Sequence, residues 1–150
     1  MRDYGLIYTR YWIDPEIMRA SAVAKCIGVY LLSSPHTNMI GCFRLPMAYL
    51  AADMGMGIET VSEGLAELLR AGFATYDEQS AWIVLPRFLK WNPIENPNQG
   101  KAAVKLFGEV PANSLVFKPL VLAMLAFGDK LPELFKRRLE TLCQEFRNQE

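Results

Sequence analysis

The sequence contains few of the residues from which catalytic and metal sites are usually built. Its only histidine is His36, and its three cysteines, Cys26, Cys42 and Cys143, lie far apart without a C-x-x-C spacing. A lone histidine leaves no Ser-His-Asp or Cys-His arrangement beyond a single pairing, and no His-rich metal site. An odd number of scattered cysteines is typical of reduced cytosolic thiols that serve as small apolar residues. We therefore predict a cytoplasmic protein with no disulfide framework and no bound metal ion.

Signatures of nucleotide-dependent enzymes are also missing. The sequence has no G-x-x-x-x-G-K-S/T phosphate-binding loop, and the Gly-Met-Gly run at 55–57 is typical of a turn. Neither Asp53 nor the glutamates form a carboxylate pair with catalytic partners nearby in the sequence. We therefore expect no enzymatic activity and no cofactor.

Long apolar runs are absent too. No segment approaches the roughly 18–20 uninterrupted apolar residues of a membrane-spanning helix. The opening residues MRDYGLIYTRYW lack the basic region and long apolar stretch of a secretory signal. Hydrophobic residues nevertheless make up 51% of the chain and charged residues only 21%, which excludes a disordered chain. We predict a soluble protein without a membrane partner, built as one domain with an appendage.

The net charge is zero, but the charges are unevenly distributed. Residues 1–45 carry five Lys/Arg against three Asp/Glu, residues 46–79 carry one against six, and residues 80–120 carry five against two. Overall neutrality argues against a histone-like binder that relies on bulk charge. The acidic segment lies between two basic ones, so any contact with nucleic acid is expected from the basic flanks.

Hydrophobic spacing and helix start signals predict four helices and three strands before residue 90. The aromatic segment 4–12 is expected to be extended. The predicted elements are a short helix from Asp14, a helix over 21–33, a strand over 39–45, a helix from Pro46 to Gly55 or Gly57, a helix over 58–71 and a hairpin over 73–85. Helix, strand, helix, helix and hairpin in this order are typical of a winged helix-turn-helix, whose hairpin is the wing.

The remaining residues predict a helical C-terminal extension. A Pro/Asn-rich connector over 91–100 precedes a helix over 101–107 and another from a Ser114 cap to about Phe127. The last helix, over about 131–146, is apolar on one side and must pack on its own chain or on a second copy. We therefore predict a mainly α fold with a small β-sheet (α+β), divided into a winged-helix domain over 1–90, a connector over 91–100 and a helical extension over 101–150.

Several quoted stretches resemble a known family. They are YLLSSPHTNMIGCFRLP, LAADMG, LAELLRAGF, YDE and WIVLPRFLKWNPIENPN, within residues 12–100. Together they are similar to the N-terminal winged-helix domain of phage and prophage replication-associated proteins, which are relatives of replication initiators and helicase loaders. The resemblance implies a DNA-associated role at a replication origin or in loading a helicase. It does not extend to the last 50 residues.

The expected recognition helix is acidic on its outer face. Val61, Leu65, Leu68 and Leu69 share one side, which leaves Glu59, Thr60, Glu63, Glu67 and Arg70 outside. Glutamates at i, i+4 and i+8 repel phosphates, and Asp77 and Glu78 at the wing tip add to this. The face is therefore expected to dock a protein or to be plainly solvated, while Thr60 and Arg70 are the base-contact candidates if this helix enters a groove.

Cationic candidates lie elsewhere, with asparagines and a tryptophan among them. Trp91 either stacks on an exposed base or packs under the connector, and Asn92, Asn96 and Asn98 either follow a phosphate backbone or form local turns. The DNA-binding candidates are Arg44, Thr60, Arg70, Arg87, Lys90, Trp91, Lys101 and Lys105. The protein-interaction candidates are Glu59, Glu63, Glu67, Leu134, Leu139 and Leu142.

The sequence thus predicts a non-enzymatic, DNA-binding, phage-type replication initiation or accessory protein. One alternative is a winged-helix module that binds a helicase or another replication protein, or a second copy of itself, without DNA. Another is a dimeric transcriptional regulator, in which the C-terminal helix supplies a homodimer contact.

Overall fold

A computed structural model describes residues 2–150 and confirms a mainly helical α+β fold with a small three-stranded antiparallel sheet. In chain order the elements are α1 (Arg10–Ile13), α2 (Pro15–Arg19), α3 (Ala22–Ser33), β1 (Cys42–Arg44), α4 (Met47–Met54), α5 (Ile58–Arg70), β2 (Thr75–Asp77), β3 (Trp82–Val84), α6 (Phe88–Trp91), α7 (Pro97–Phe107), α8 (Phe117–Phe127) and α9 (Glu133–Asn148).

Local signals account for the starts of the early helices. Asp14 accepts a hydrogen bond from the backbone N–H of Glu16, with Pro15 at the first position of α2. Ser21 caps α3 in the same way, by accepting from the N–H of Ala24. Both caps satisfy backbone donors that have no partner within the helix, so these boundaries follow from the sequence.

The first core is formed by α3, α4, α5 and one face of the sheet. Ile27 of α3 and Leu68 of α5 are fully buried in it, and Phe43 and Ile83 contribute from the sheet. Gly64 lies where α3 and α5 meet, and a Cβ there would be 2.8 Å from Ile27 Cδ1. The close approach of these two helices therefore depends on the missing side chain.

The sheet is shared between two cores because its strands alternate. Cys42 pairs with Val84 and Phe43 pairs with Ile83 in the antiparallel β1–β3 ladder. Phe43 and Ile83 face the first core, while Cys42 and Val84 belong to a second one on the opposite side. Burial raises the pKa of the Cys42 thiol to about 12, so this cysteine stays neutral and acts as an apolar side chain.

The second core is built from the C-terminal helices α7, α8 and α9. Its buried side chains include Phe107, Leu120, Met124 and Leu139, packed beneath the sheet. The last helix therefore packs on its own chain. The prediction of Leu139 as an interaction residue is wrong, because the side chain is 0% exposed.

Several boundaries differ from those predicted, and α6 lies where no helix was predicted. Residues 10–13 form α1 and are not extended, because the backbone N–H groups of Tyr11 and Trp12 donate to the carbonyls of Tyr8 and Thr9. The helix expected from residue 101 begins at Pro97, where Asn96 supplies the cap. The first strand is three residues long, because Gly41 before it has a positive φ of 66° and turns the chain.

Ser114 does not cap α8 as predicted but joins the β2–β3 hairpin to the C-terminal helices. Its hydroxyl donates to Asp77 Oδ2 at 2.7 Å, and the N–H of Leu115 reaches the same oxygen at 3.4 Å. Both Asp77 and Ser114 are buried. The prediction that Asp77 adds negative charge to an exposed tip is therefore wrong, since of the two acidic residues there only Glu78 is exposed.

The stability of the fold is expected to depend on the ionisation of Asp77. The hydrogen bond from Ser114, with others from Ser80 and the N–H of Gln79, lowers the pKa of Asp77 to about 2. Its unfolded value is about 4, so the stabilisation is fully present above about pH 4 and is lost as the pH falls toward about 2. Asp77→Asn should be less stable than the parent at neutral pH in urea unfolding, with a difference that shrinks on acidification.

Glu78→Gln is the matched control, because Glu78 is the exposed neighbour of Asp77. It should leave the pH profile unchanged. An Asp77→Asn difference of equal size at neutral pH and near pH 2 would contradict the assignment.

Candidate nucleic-acid interface

The N-terminal segment crosses the end of α3 and reaches α6. The Arg2 guanidinium donates to the carbonyl of Leu32 at 2.9 Å. Gly5 lies so close to the same carbonyl that a Cβ would be 2.3 Å from its oxygen. The Tyr11 hydroxyl donates to the carbonyl of Lys25, which fixes α1 on α3. These contacts bring residues 8–10 next to α6, about 80 residues later in the chain.

Two cations and a tyrosine surround Trp91 where these segments meet. The Arg10 guanidinium carbon and Lys90 Nζ each lie 4.9 Å from the Trp91 ring centroid. The Tyr8 ring lies 5.6 Å from it, tilted by 47°. Attraction to the negative face of an aromatic ring offsets the repulsion between neighbouring cations. We name Tyr8, Arg10, Arg87, Lys90 and Trp91 the Trp91 cluster.

The cations of this cluster have no acidic partner in the part of the chain that the structure describes. Within residues 2–150 the ion pairs are Arg19–Glu16, His36–Asp53, Lys118–Glu150 and Lys136–Glu133. Arg10, Arg87 and Lys90 occur in none of them, and all three are exposed. Three cations without carboxylate partners are available to an anion from solvent.

A cavity of about 380 Å³ opens beside the cluster. Its polar lining includes Arg10, Arg87, Lys90, Asn92 and Asp14. The apolar and aromatic lining consists of Leu6, Tyr8, Tyr11, Ile13, Ile17, Leu32, Phe73, Leu85, Phe88 and Trp91. Asp14 is the one carboxylate in the described lining, and it already accepts the N–H of Glu16. The cavity thus combines apolar walls with three cations, which suits a ligand that is both aromatic and anionic.

Three of the eight predicted DNA-binding residues come together here, namely Arg87, Lys90 and Trp91. The other five do not line the cavity: Arg44 is exposed on β1, Thr60 and Arg70 on α5, and Lys101 and Lys105 on α7.

The connector asparagines make local hydrogen bonds in two of three cases. Asn96 accepts from the N–H of Gln99 as the cap of α7, and the Asn92 amide donates to the carbonyl of Phe88 at 3.3 Å. Asn98 is exposed on the first turn of α7. Local turn chemistry therefore accounts for Asn92 and Asn96.

One of the three glutamates on the outer face of α5 has a structural role. Glu59 and Glu63 are exposed. Glu67 accepts from the backbone N–H of Ser21 at 2.9 Å and also from its hydroxyl, and these hydrogen bonds lower the pKa of the Glu67 carboxyl. Glu67 therefore remains ionised and holds α5 to the start of α3, so the face keeps its negative charge.

Replacing Glu67 by alanine should lower the free energy of unfolding by about 1 kcal/mol or more, because hydrogen bonds to a charged group are lost. Replacing Glu63 on the same helix is the matched control and should change it by less than about 0.5 kcal/mol. Urea unfolding of both variants gives the comparison. Equal effects would show that the Ser21 contact contributes nothing in solution.

Sequence reasoning missed Tyr8 and Arg10. A usable signal was present, since the opening MRDYGLIYTRYW interleaves two arginines with four aromatic residues. Basic and aromatic residues in alternation are a pattern found in single-stranded nucleic-acid binders. Only the fold shows that this segment lies against Trp91.

No family model, curated protein or solved structure matches the chain. Among residues 2–150, no three His, Cys, Asp or Glu side chains are grouped so as to hold a metal ion. No helix in that range is both long enough and apolar enough to cross a membrane.

Proposed function

We propose that the chain is a non-enzymatic DNA-binding protein that contacts the phosphate backbone through the Trp91 cluster. One observation carries the proposal: Arg10, Arg87 and Lys90 form no ion pair within residues 2–150 and line the same cavity beside Trp91. Neutralising phosphates with Lys and Arg supplies most of the sequence-independent affinity for DNA. Backbone contacts of this kind position a protein on DNA without reading its sequence.

The second helix of the proposed helix-turn-helix, α5, would have a lesser role in DNA binding. Residues 1–90 would form a winged helix, with α5 as the helix that usually enters the major groove. Glu59 and Glu63 are exposed on that helix, and a negative face repels the duplex. Thr60 and Arg70 remain the residues that would touch bases if α5 enters a groove. Arg44, Lys101 and Lys105 would add backbone contacts at a distance from the cavity.

The biological setting we propose is initiation of phage- or prophage-type replication in the cytoplasm, as an initiator or accessory factor. It rests on the resemblance of the stretches within residues 12–100, of which FLKWNPIENPN includes α6 and the connector. Lys90 and Trp91 belong to that stretch.

Fluorescence anisotropy with a labelled duplex and a labelled single strand, each at about 50 and about 200 mM salt, tests DNA binding. Three phosphate contacts on a duplex should weaken the affinity about 40-fold over this range. Arg87→Glu with Lys90→Glu should abolish measurable binding at the higher salt. The matched control, Lys130→Glu with Arg147→Glu, changes the charge equally at exposed positions outside the cavity. Absence of binding to either DNA at low salt would refute the proposal.

The second candidate is a protein-interaction module that binds a helicase or another replication protein without DNA. Exposed Glu59, Glu63 and Glu78 favour it, since they lie on α5 and at the hairpin tip. A groove between these elements is lined by Met47, Leu65 and Leu69, among others.

A dimeric regulator would instead use Leu134, which is 78% exposed, together with half-buried Leu142. Sedimentation of the isolated chain separates the dimer from the monomer.

A further inference from the structure

We infer that the cavity beside the Trp91 cluster receives one unpaired base of a DNA single strand, with the adjoining phosphates on Arg10, Arg87 and Lys90. The inference rests on the proposed function and adds to it the strandedness of the DNA. It follows from the size of the cavity, from its lining, and from the position of the cations relative to the aromatic rings.

The cavity has the size and surface expected for a planar apolar group. Its volume of about 380 Å³ lies at the lower end of the range of about 300–1,000 Å³ for small-molecule sites. Leu6, Ile13, Phe73 and Leu85 supply apolar walls. A nucleobase has two apolar faces, which such walls can cover. A base within a duplex is already stacked on both faces and must leave the stack to enter a pocket, which costs free energy that an unpaired base does not pay.

The cations mark where the phosphates would lie. Arg10 and Lys90 each lie 4.9 Å from the Trp91 ring centroid, and Arg87 lines the same cavity. Because all three side chains line the cavity, a base bound inside it would bring its own phosphate and that of the neighbouring nucleotide close to positive charge. Cations that follow the backbone, combined with surfaces that cover the bases, are the general basis of single-strand binding.

Tyr8 and Trp91 have different roles in this arrangement. Two cations lie over the Trp91 ring, so Trp91 is a positioning residue that holds Arg10 and Lys90. Tyr8 is 44% exposed and lines the cavity, so its ring has a surface on which a base can stack. The sequence left open whether Trp91 stacks on a base or packs under the connector, and we assign the stacking contact to Tyr8.

The test measures the binding of three labelled ligands of equal length to the full chain at low salt. They are oligothymidine, a hairpin whose paired stem is closed by a linker without bases, and a strand whose central nucleotides are abasic. The abasic strand keeps the phosphates and lacks the bases. Stacking of one base is worth about tenfold in affinity. We expect oligothymidine to bind about tenfold more tightly than either the hairpin or the abasic strand.

A cavity-filling variant locates the base. Leu6→Trp adds bulk to the lining without changing charge, and should reduce the affinity for oligothymidine about tenfold while leaving the affinity for the hairpin unchanged. Leu134→Trp is the matched control, because Leu134 is exposed and does not line the cavity. Tyr8→Ala is the second variant and should show the same selective loss of affinity for oligothymidine. It replaces Leu6→Trp in the test if circular dichroism shows that Leu6→Trp is unfolded.

The outcomes separate the two proposals. Equal affinity for the three ligands would overturn the base-binding inference and leave DNA binding by the Trp91 cluster intact. Loss of affinity for the hairpin and oligothymidine alike in Tyr8→Ala would overturn the inference too. Failure to bind any of the three at low salt would overturn both proposals.

Discussion

Replacing Leu139 by alanine is expected to lower the free energy of unfolding by about 3–5 kcal/mol. Leu139 lies on α9 and is 0% exposed, in the core that the C-terminal helices form beneath the sheet. Removing three side-chain carbons there loses the burial of apolar surface and leaves a cavity that close-packed neighbours cannot fully fill. Chemical denaturation followed by far-UV circular dichroism measures the change.

Leu134→Ala is the matched control, with the same substitution on the same helix. Leu134 is 78% exposed, so its loss should change the free energy of unfolding by less than about 0.5 kcal/mol. Similar destabilisation by both variants would contradict the placement of α9 on its own chain, because only a partner covering Leu134 would make it matter equally.

The number of unfolding transitions in Leu139→Ala shows whether the two cores unfold together. Cys42 and Val84 of the sheet belong to the same core as Leu139, while Phe43 and Ile83 belong to the other. The two cores share the strands that separate them, so loss of one removes the support of the other. We expect a single transition at lower denaturant concentration for Leu139→Ala. Separate unfolding of α9 would show that the shared sheet does not couple the two cores.

Replacing Gly41 by alanine is expected to cost about 3 kcal/mol or more. Gly41 has φ of 66°, a left-handed conformation that costs a residue with a Cβ about 1–2 kcal/mol. A Cβ at this position would also lie 2.4 Å from Phe88 Cβ, so Phe88 and the start of α6 would have to move. Overpacking of this kind typically costs a further 1–3 kcal/mol or so. Thermal unfolding gives the size of the effect.

Gly55→Ala isolates the contact with Phe88 from the backbone effect. Gly55 has nearly the same φ, 65°, at the end of α4, but nothing lies within 4 Å of the position of its Cβ. Only the backbone cost of about 1–2 kcal/mol should appear there. Equal destabilisation by the two substitutions would mean that Phe88 does not press against Gly41 in solution.

Gly41 also affects the candidate site, because it contacts Phe88. Phe88 begins α6, which carries Lys90 and Trp91, and Phe88 itself lines the cavity. Displacement of Phe88 is therefore expected to weaken DNA binding in Gly41→Ala, while Gly55→Ala leaves it unchanged. Anisotropy with the labelled single strand shows the difference.

The sequence by itself determined the secondary structure where local chemistry is decisive. Asp14 before Pro15 and Ser21 before α3 predicted helix starts that the structure confirms. The spacing of Val61, Leu65 and Leu68 predicted the buried side of α5, and all three are buried. Such features depend on neighbours within about one helical turn, so each is readable from a few adjacent residues.

Only the tertiary structure decided which distant residues meet. Arg10 beside Trp91, Glu67 on Ser21 and Ser114 on Asp77 are contacts between segments separated by at least 37 residues. No periodicity or cap specifies such pairs, because they arise when helices and strands bury their apolar faces together. Leu139 shows the same limit. Its apolar stripe required a partner surface, and whether that surface belonged to this chain or to a second copy depended on how α9 packs beneath the sheet.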